Sequence, residues 1–322
     1  MSARAPLRVG TRGSALALWQ TERIRQLLTA AGHATERIEI RTTGDMVQEV
    51  PLSRIGSAAL FTRQIDEAML AGRIDIAVHS LKDLPTVLAP GITIAAIGER
   101  EDPSDALVGR GPLGWNEVPN GAVVATSSLR RKAQLLHARP DLRVQDIRGN
   151  VDTRLSKLEG NSSWHAILLA TAGLLRLGRG DRIGERLPPA VMLPAPGQGA
   201  LAVTVRADAA DAIAAVRAAV HHQPTAVAVS AERGFLRRLE GGCQVPVAAH
   251  ATIDSRGFLR LHGRVISLDG DRMVEGREEG VVRTPEEAER LGTSLAERLL
   301  GEGANTILSQ VRAGAVPAVP EP

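Results

Sequence analysis

The sequence predicts an α/β protein, with βα units over roughly the first two-thirds and a smaller α+β module after them. Two observations carry this. Short β-branched runs alternate with helical patterns as far as Arg206, as they do where parallel strands are joined by crossover helices. From about Pro224 the order changes to one helix, three strands and two closing helices, which suits an antiparallel sheet covered on one face.

Each element has its own signal. LRVGTR (Leu7–Arg12) reads as a strand, and Ser14 caps a helix with Leu16, Trp19, Ile24 and Leu27 on one face, ended by Gly32. RIEIRTT (Arg37–Thr43) reads as the next strand. A Gly/Ser-containing loop near Gly56 follows, then a helix from about Leu60 to Ala71 and the strand DIAVHS (Asp75–Ser80). TIAAIGERED (Thr93–Asp102) closes this series and the pattern restarts. AVVATSS (Ala122–Ser128) runs into a helix at Leu129–His137, LRVQDIRGN (Leu142–Asn150) into VDTRLSKLE, and WHAILLATAG (Trp164–Gly173) into LLRLG. LPAPGQGALAVTVR (Leu193–Arg206) reads as a chain crossing followed by a strand. Strands are expected near Pro246–Ile253, Phe258–Ser267 and Met273–Glu279, and helices from about Thr284 and Ala304. The Pro-rich tail AVPAVPEP, about 314–322, is expected to be disordered.

Composition excludes several functions. Aromatic residues are 2% of the 322, with no tyrosine, so the stacking platforms of a single-stranded nucleic-acid binder are missing. Lys and Arg number 39 against 36 acids, too even a balance for gripping a phosphate backbone. The lysines are Lys82, Lys132 and Lys157, so nearly all cations are arginines and their placement carries the information. A single cysteine, Cys243, allows no internal disulfide and no cysteine-rich metal cage, and suits a reducing compartment. The N-terminal MSARAPLRVG has no apolar core of a signal peptide. The longest apolar stretch, Ala166 to Leu175, falls far short of the roughly 20 residues of a membrane span. The expectation is a cytoplasmic protein with no bound metal, no nucleic acid and no membrane anchor.

Three strand-to-helix junctions combine arginine with small hydroxyl residues or glycine: Thr11–Ser14, Thr126–Arg131 and Arg148–Arg154. A helix N-terminus offers unpaired N–H groups and partial positive charge, and arginine adds a planar two-pronged donor that fits a carboxylate. One such junction is an ordinary capped helix; three in one chain favour a cleft for a ligand with several negative charges. None reads GxxxxGK[ST], and no GxGxxG follows a strand, so a nucleotide is the poorer guess. After DIAVHS comes Leu81–Lys82–Asp83–Leu84–Pro85. Spacing alone permits a solvated turn there, or a carboxylate that keeps its charge among cations and stabilises a cation formed during reaction. Cys243, in EGGCQVP, is by default a buried filler, yet the glycines before it suit a thiol carried away from the backbone surface.

The strings TRGSALALWQ, DIAVHSLKDLP, EREDPSDAL, TSSLRR, RGNVDTRLSKL, LPAPGQGAL and EGGCQVP, in this order, closely resemble the porphobilinogen deaminase (hydroxymethylbilane synthase) family, and they span nearly the whole chain. The resemblance implies two lobes like those of periplasmic solute-binding proteins, with mixed, mainly parallel sheets, plus a smaller C-terminal α+β domain. Their bounds would be 1–98 with 197–218, 99–196 and 219–322, the GERED and PAPGQG stretches crossing between lobes. It implies a transferase that deaminates porphobilinogen, joins four molecules onto a dipyrromethane cofactor and releases a linear tetrapyrrole by hydrolysis. Residue by residue, Cys243 matches the thiol that holds the cofactor by a thioether, and Asp83 the catalytic aspartate. Lys82, Ser128, Arg130, Arg131 and Arg176 match cofactor-binding positions; Arg12, Ser14, Gln20, Arg148 and Arg154 match positions that hold the substrate. One stretch departs: at Arg54–Phe61 the family usually has a glycine-rich loop with two lysines, and here Arg54 keeps the first charge while Ala58 replaces the second. That puts a cationic lid in doubt. A solute-binding module is the rival reading, but it predicts an export signal and leaves Cys243 without a role. A monomer is expected.

Overall fold

The computed structural model describes residues 5–42, 62–239 and 245–314. The chain begins with β1 (Leu7–Thr11), α1 (Ala15–Ala30), β2 (Thr35–Glu39), α2 (Arg63–Leu70), β3 (Ile76–Ser80) and β4 (Ile92–Ile97). It continues with β5 (Asp105–Gly109), β6 (Val123–Ala125), α3 (Leu129–Ala138), β7 (Arg143–Gln145), α4 (Val151–Gly160), β8 (Ala166–Ala170), α5 (Thr171–Arg176) and β9 (Glu185–Arg186). Next come β10 (Leu201–Arg206), α6 (Ala210–Val220) and α7 (Gln223–Arg238). The last part holds β11 (Val247–Ile253), β12 (Phe258–Ile266), β13 (Met273–Val281), α8 (Pro285–Leu299) and α9 (Asn305–Gly314).

Two five-stranded sheets share one plan: β2-β1-β3-β10-β4 and β7-β6-β8-β5-β9. In each, four strands run one way and one, β10 or β5, runs antiparallel to both its neighbours, so both sheets are mixed. The parallel strands follow from the crossover helices, while the reversed strand, β10 in one sheet and β5 in the other, arrives from the other lobe. Central strands are buried on both faces: Ala106 and Val108 of β5 join one core, Leu107 the other. The first lobe divides likewise, Ile76 and Val78 facing one core and Ala77 another. The third sheet, β11-β12-β13, is antiparallel and buries Leu259, Leu261 and Val265 against Phe235, Leu295 and Leu299 of α7 and α8. Those helices cross with their backbones touching: a Cβ at Gly292 would lie 2.0 Å from the Ala231 carbonyl oxygen, and one at Gly234 would lie 2.4 Å from that of Glu289.

Several sequence expectations shift. The second strand is Thr35–Glu39 and not Arg37–Thr43, because it must stand opposite β1, with Leu7 facing Thr35. The expected helix at Leu60–Ala71 is seen as Arg63–Leu70, its first two expected residues falling outside the described range. β5 and α6 were not anticipated: DALVG is short, and ADAIAAVRAAV is too alanine-rich to show an apolar stripe. The segment Arg54–Phe61, Cys243 and the Pro-rich tail from Ala315 lie outside the described residues. Among the described residues no helix is long and apolar enough to cross a membrane.

Two segments join the lobes: 98–104 between β4 and β5, and 187–200 between β9 and β10. At Gly199 they are in contact: its φ is +89°, and a Cβ there would meet the Glu101 carbonyl oxygen at 2.3 Å. Gly199→Ala should therefore cost more than the roughly 1–3 kcal/mol of left-handed strain alone. Gly32→Ala, at φ +86° with open space around it, isolates the strain term. Equal losses in chemical denaturation of the two variants would rule out a close contact between the crossings.

Candidate active site

The site begins where β3 ends. Leu81–Asp83 form a tight turn held by the Leu81 N–H donating to the Ala200 carbonyl, with Leu81 fully buried. Gly197 lies against this turn, φ +76°, its missing Cβ leaving room for the Leu81 side chain at 2.9 Å. Lys82 and Asp83 are therefore displayed from a fixed base, both partly buried. Lys82 Nζ donates to Gln198 Oε1 at 3.2 Å. Burial pushes the Lys82 ammonium down to about 8; Asp83 and Asp105 oppose this, while Arg131 and Arg130 add to it. Asp83 accepts no hydrogen bond from the described residues.

The segment that follows is tied down from behind. Arg233 on α7 donates to the Pro85 carbonyl at 2.8 Å, and Arg237 to that of Thr86 at 3.0 Å. The same helix carries Glu232, fully buried, whose carboxylate receives Arg100 at 2.7 Å and the N–H groups of Gly197 and Ala251, each at 2.7 Å. One carboxylate thus joins both crossings to β11.

The opposing wall comes from the second lobe. Ser128 caps α3, accepting from the Arg131 N–H at 3.4 Å, and Asn150 caps α4, accepting from Thr153 at 2.9 Å. These caps leave the partial positive charge of each helix N-terminus beside the arginines just inside it. Gly149 makes the second junction possible: φ is +118°, and a Cβ would sit 2.5 Å from Thr153. Arg154 donates to the Gly149 carbonyl at 2.8 Å. Burial holds its guanidinium down to about 10, the Arg131 and Arg148 charges push the same way, and Asp83 opposes them. Asp83 of the first lobe thus lies within electrostatic reach of Arg154 of the second.

Arg130 and Arg131 also have partners inside the lobe. Both are buried and share one fully buried carboxylate, Asp105: Arg130 NH1 reaches it at 2.7 Å and Arg131 NH2 at 2.7 Å. Arg130 also donates to the Leu193 carbonyl and Arg131 to that of Leu168. The paired guanidinium charges hold Asp105 far below the usual carboxylate range against a burial penalty that would raise it. Each arginine is thus half committed to the lobe's interior, leaving only its remaining N–H groups for a ligand.

The other expected positions divide. Gln20 is buried and donates to Ser80 at 2.8 Å, so it braces α1 against the end of β3. Ser14 caps α1, accepting from the Ala17 N–H at 3.3 Å. Arg12 lies near His79, whose imidazole is held down to about 4 mainly by burial, with the Arg12 charge pushing the same way. Arg176 donates to the Gly199 carbonyl at 2.6 Å and stands 5.8 Å from the Trp19 ring centroid, spanning the two lobes. Sequence reading passed over Asp105, Gln198, Arg100 and Glu232. Three of these, Arg100, Asp105 and Gln198, stand inside the strings EREDPSDAL and PAPGQG, which drew notice only as patterns.

Residues 7–214 match the family model described as porphobilinogen deaminase, dipyromethane cofactor binding domain, and residues 226–301 match that of its C-terminal domain. A porphobilinogen deaminase of Moorella thermoacetica is 49% identical over 95% of this chain and 97% of its own length. One from Rubrobacter xylanophilus is 52% identical over 94% and 97%. The chain belongs to the porphobilinogen deaminase family. Among solved structures, a periplasmic substrate-binding protein from Coxiella burnetii aligns over 66% of this chain and 92% of its own at 16% identity, with a TM-score of 0.40.

For a member of the porphobilinogen deaminase family the donor set fits a dipyrromethane, a pyrrole pair with several carboxylates. Lys82 and Arg154 are cations whose charge burial and their cationic neighbours disfavour, the condition a bound polyanion relieves.

Proposed function

We propose that this transferase joins porphobilinogen molecules head to tail on a dipyrromethane held by Cys243, and that Asp83 is its catalytic residue. The observation that carries the reading is the carboxylate of Asp83. It stands at the end of β3 beside Lys82 and opposite Arg154, and accepts no hydrogen bond from the described residues. The bound cofactor supplies the nucleophilic pyrrole carbon to which units are added.

The chain's own residues do the rest. Arg12, Arg148 and Arg154 hold the acetate and propionate arms of the incoming molecule, fixing its aminomethyl group near Asp83. As the carbon–nitrogen bond of the protonated aminomethyl group breaks and ammonia leaves with the bonding pair, the remaining methylene pyrrole carries the positive charge. Asp83 accepts hydrogen bonds from pyrrole N–H groups and faces that cation with fixed negative charge, in a setting where water screens it poorly. Lys82, Ser128 and the uncommitted N–H groups of Arg130 and Arg131 hold the carboxylates of the growing chain. Arg176, partly spent on Gly199, borders the same cleft. Ser14 and Gln20 serve by positioning α1 and Ser80. Cofactor attachment needs Cys243 as a reduced thiol, so the reading places the protein in a reducing cytoplasm, and it describes a monomer of three domains: 1–98 with 197–218, 99–196 and 219–322.

Intact mass tests this. Purified protein is expected to carry a covalent addition of dipyrromethane size, absent from Cys243→Ser because a neutral hydroxyl is a far poorer nucleophile than a thiolate. A Cys243→Ser protein that still carried the addition would overturn the assignment.

A further inference from the structure

Gln198 lies in the second crossing, 1% exposed, with both ends of its amide engaged. Its Oε1 accepts from Lys82 Nζ at 3.2 Å. Its Nε2 donates to Asp105 Oδ1 at 3.0 Å and to the Pro103 carbonyl at 2.7 Å. Its backbone carbonyl accepts from Arg100 at 2.9 Å. The partners dictate the amide's direction: an ammonium only donates, while a carboxylate and a carbonyl only accept. Flipping it would set N–H against ammonium and oxygen against oxygen. One side chain therefore links the Lys82–Asp83 turn of the first lobe to the Arg130–Asp105–Arg131 cluster of the second.

We infer that Gln198 is a positioning residue that aims the Lys82 ammonium into the cleft and couples its charge to the Asp105 cluster, so that cofactor loading depends on it. The inference rests on the reading of Lys82 as a cofactor-holding cation. The charged groups facing Lys82 are Asp83 on its own turn, Asp105 at the start of β5, and Arg130 and Arg131 on α3. Gln198 is the neutral dipole set among them. It offers the ammonium an acceptor without adding a charge that would cancel the site's attraction for carboxylates. A glutamate there would bind Lys82 as an internal ion pair and repel Asp105. An apolar residue would leave the ammonium without its acceptor and free to swing.

Lys82 is one of few lysines, with Lys132 and Lys157, so its reactivity can be read on a single peptide. Full-length protein in a Cys243→Ser background, free of cofactor carboxylates, would be labelled with acetic anhydride across pH and analysed by mass. Gln198→Met should lower the Lys82 titration midpoint, by about one unit, and Gln198→Glu should raise it. Should the Met variant not fold, Gln198→Asn, too short to span both partners, is expected to lower the midpoint in the same sense. With Cys243 present, Gln198→Met should also reduce the fraction of purified protein carrying the dipyrromethane mass. Midpoints unchanged in every variant would overturn the coupling. Midpoints that move while cofactor loading stays complete would overturn the reading of Lys82 as a cofactor-holding group and leave the coupling intact.

Discussion

Asp83→Asn is expected to slow single-turnover formation of the first enzyme–substrate adduct by about 100-fold or more while weakening substrate binding far less. Asparagine keeps the shape and an acceptor but removes the charge that faces the developing cation. Its effect should therefore fall on the transition state and not on the ground state. Asp83→Glu keeps the charge on a longer arm and should retain more activity. The turn itself is held by Leu81 and Leu84, so neither variant should disturb the fold. Rapid-quench measurement on cofactor-loaded protein separates the possibilities: if Asn matches or exceeds Glu, charge at Asp83 is not what drives the chemistry.

Asp105→Leu is expected to cost roughly 3–5 kcal/mol of unfolding free energy, because it strands two buried guanidinium groups without a counter-charge. Arg130→Leu alone should cost less, since Arg131 still pairs with the carboxylate. Asp105 also makes a pH prediction. Its folded-state pKa is depressed by the two arginines, so it adds stability that is fully present well above the unfolded value, about 3.9. That stability is lost as pH falls below this value toward the depressed folded one. Denaturation midpoints of wild type and Asp105→Leu, compared at neutral pH and below about pH 4, should converge on acidification. Parallel curves would show that Asp105 is not the group that titrates.

Much of the site was legible because helix caps are local signals. Ser14, Ser128 and Asn150 each stand just before a helix and accept the N–H groups that cap positions demand. Lys82 and Asp83 were legible as the tail of a strand. Asp105 was not: a lone acid at the start of a short strand looks like a turn residue until α3 brings two arginines to it. Gln198 and Glu232 were hidden for the same reason, since their partners are on other elements far along the chain. The alternation of strands and helices was plain, yet β10 could not be placed. LAVTVR reads as a strand, but no local pattern says that it inserts between β3 and β4.

That insertion has a consequence for how the protein is made. Leu201 pairs with Ser80 and Arg206 with Ile92, so the two strands that flank β10 leave the ribosome long before β10 exists. At about 5–20 residues per second, the wait is of the order of ten seconds. The second lobe, from β5 to β9, is synthesised wholly within that interval and has every strand of its sheet to hand. The order of birth is thus inverted: the lobe whose synthesis starts later can finish folding first, while the earlier one waits with β3 and β4 as open edges. Such edges invite pairing with another nascent chain. A nascent chain stalled before Leu201 would hold one finished lobe and one that has no way to close.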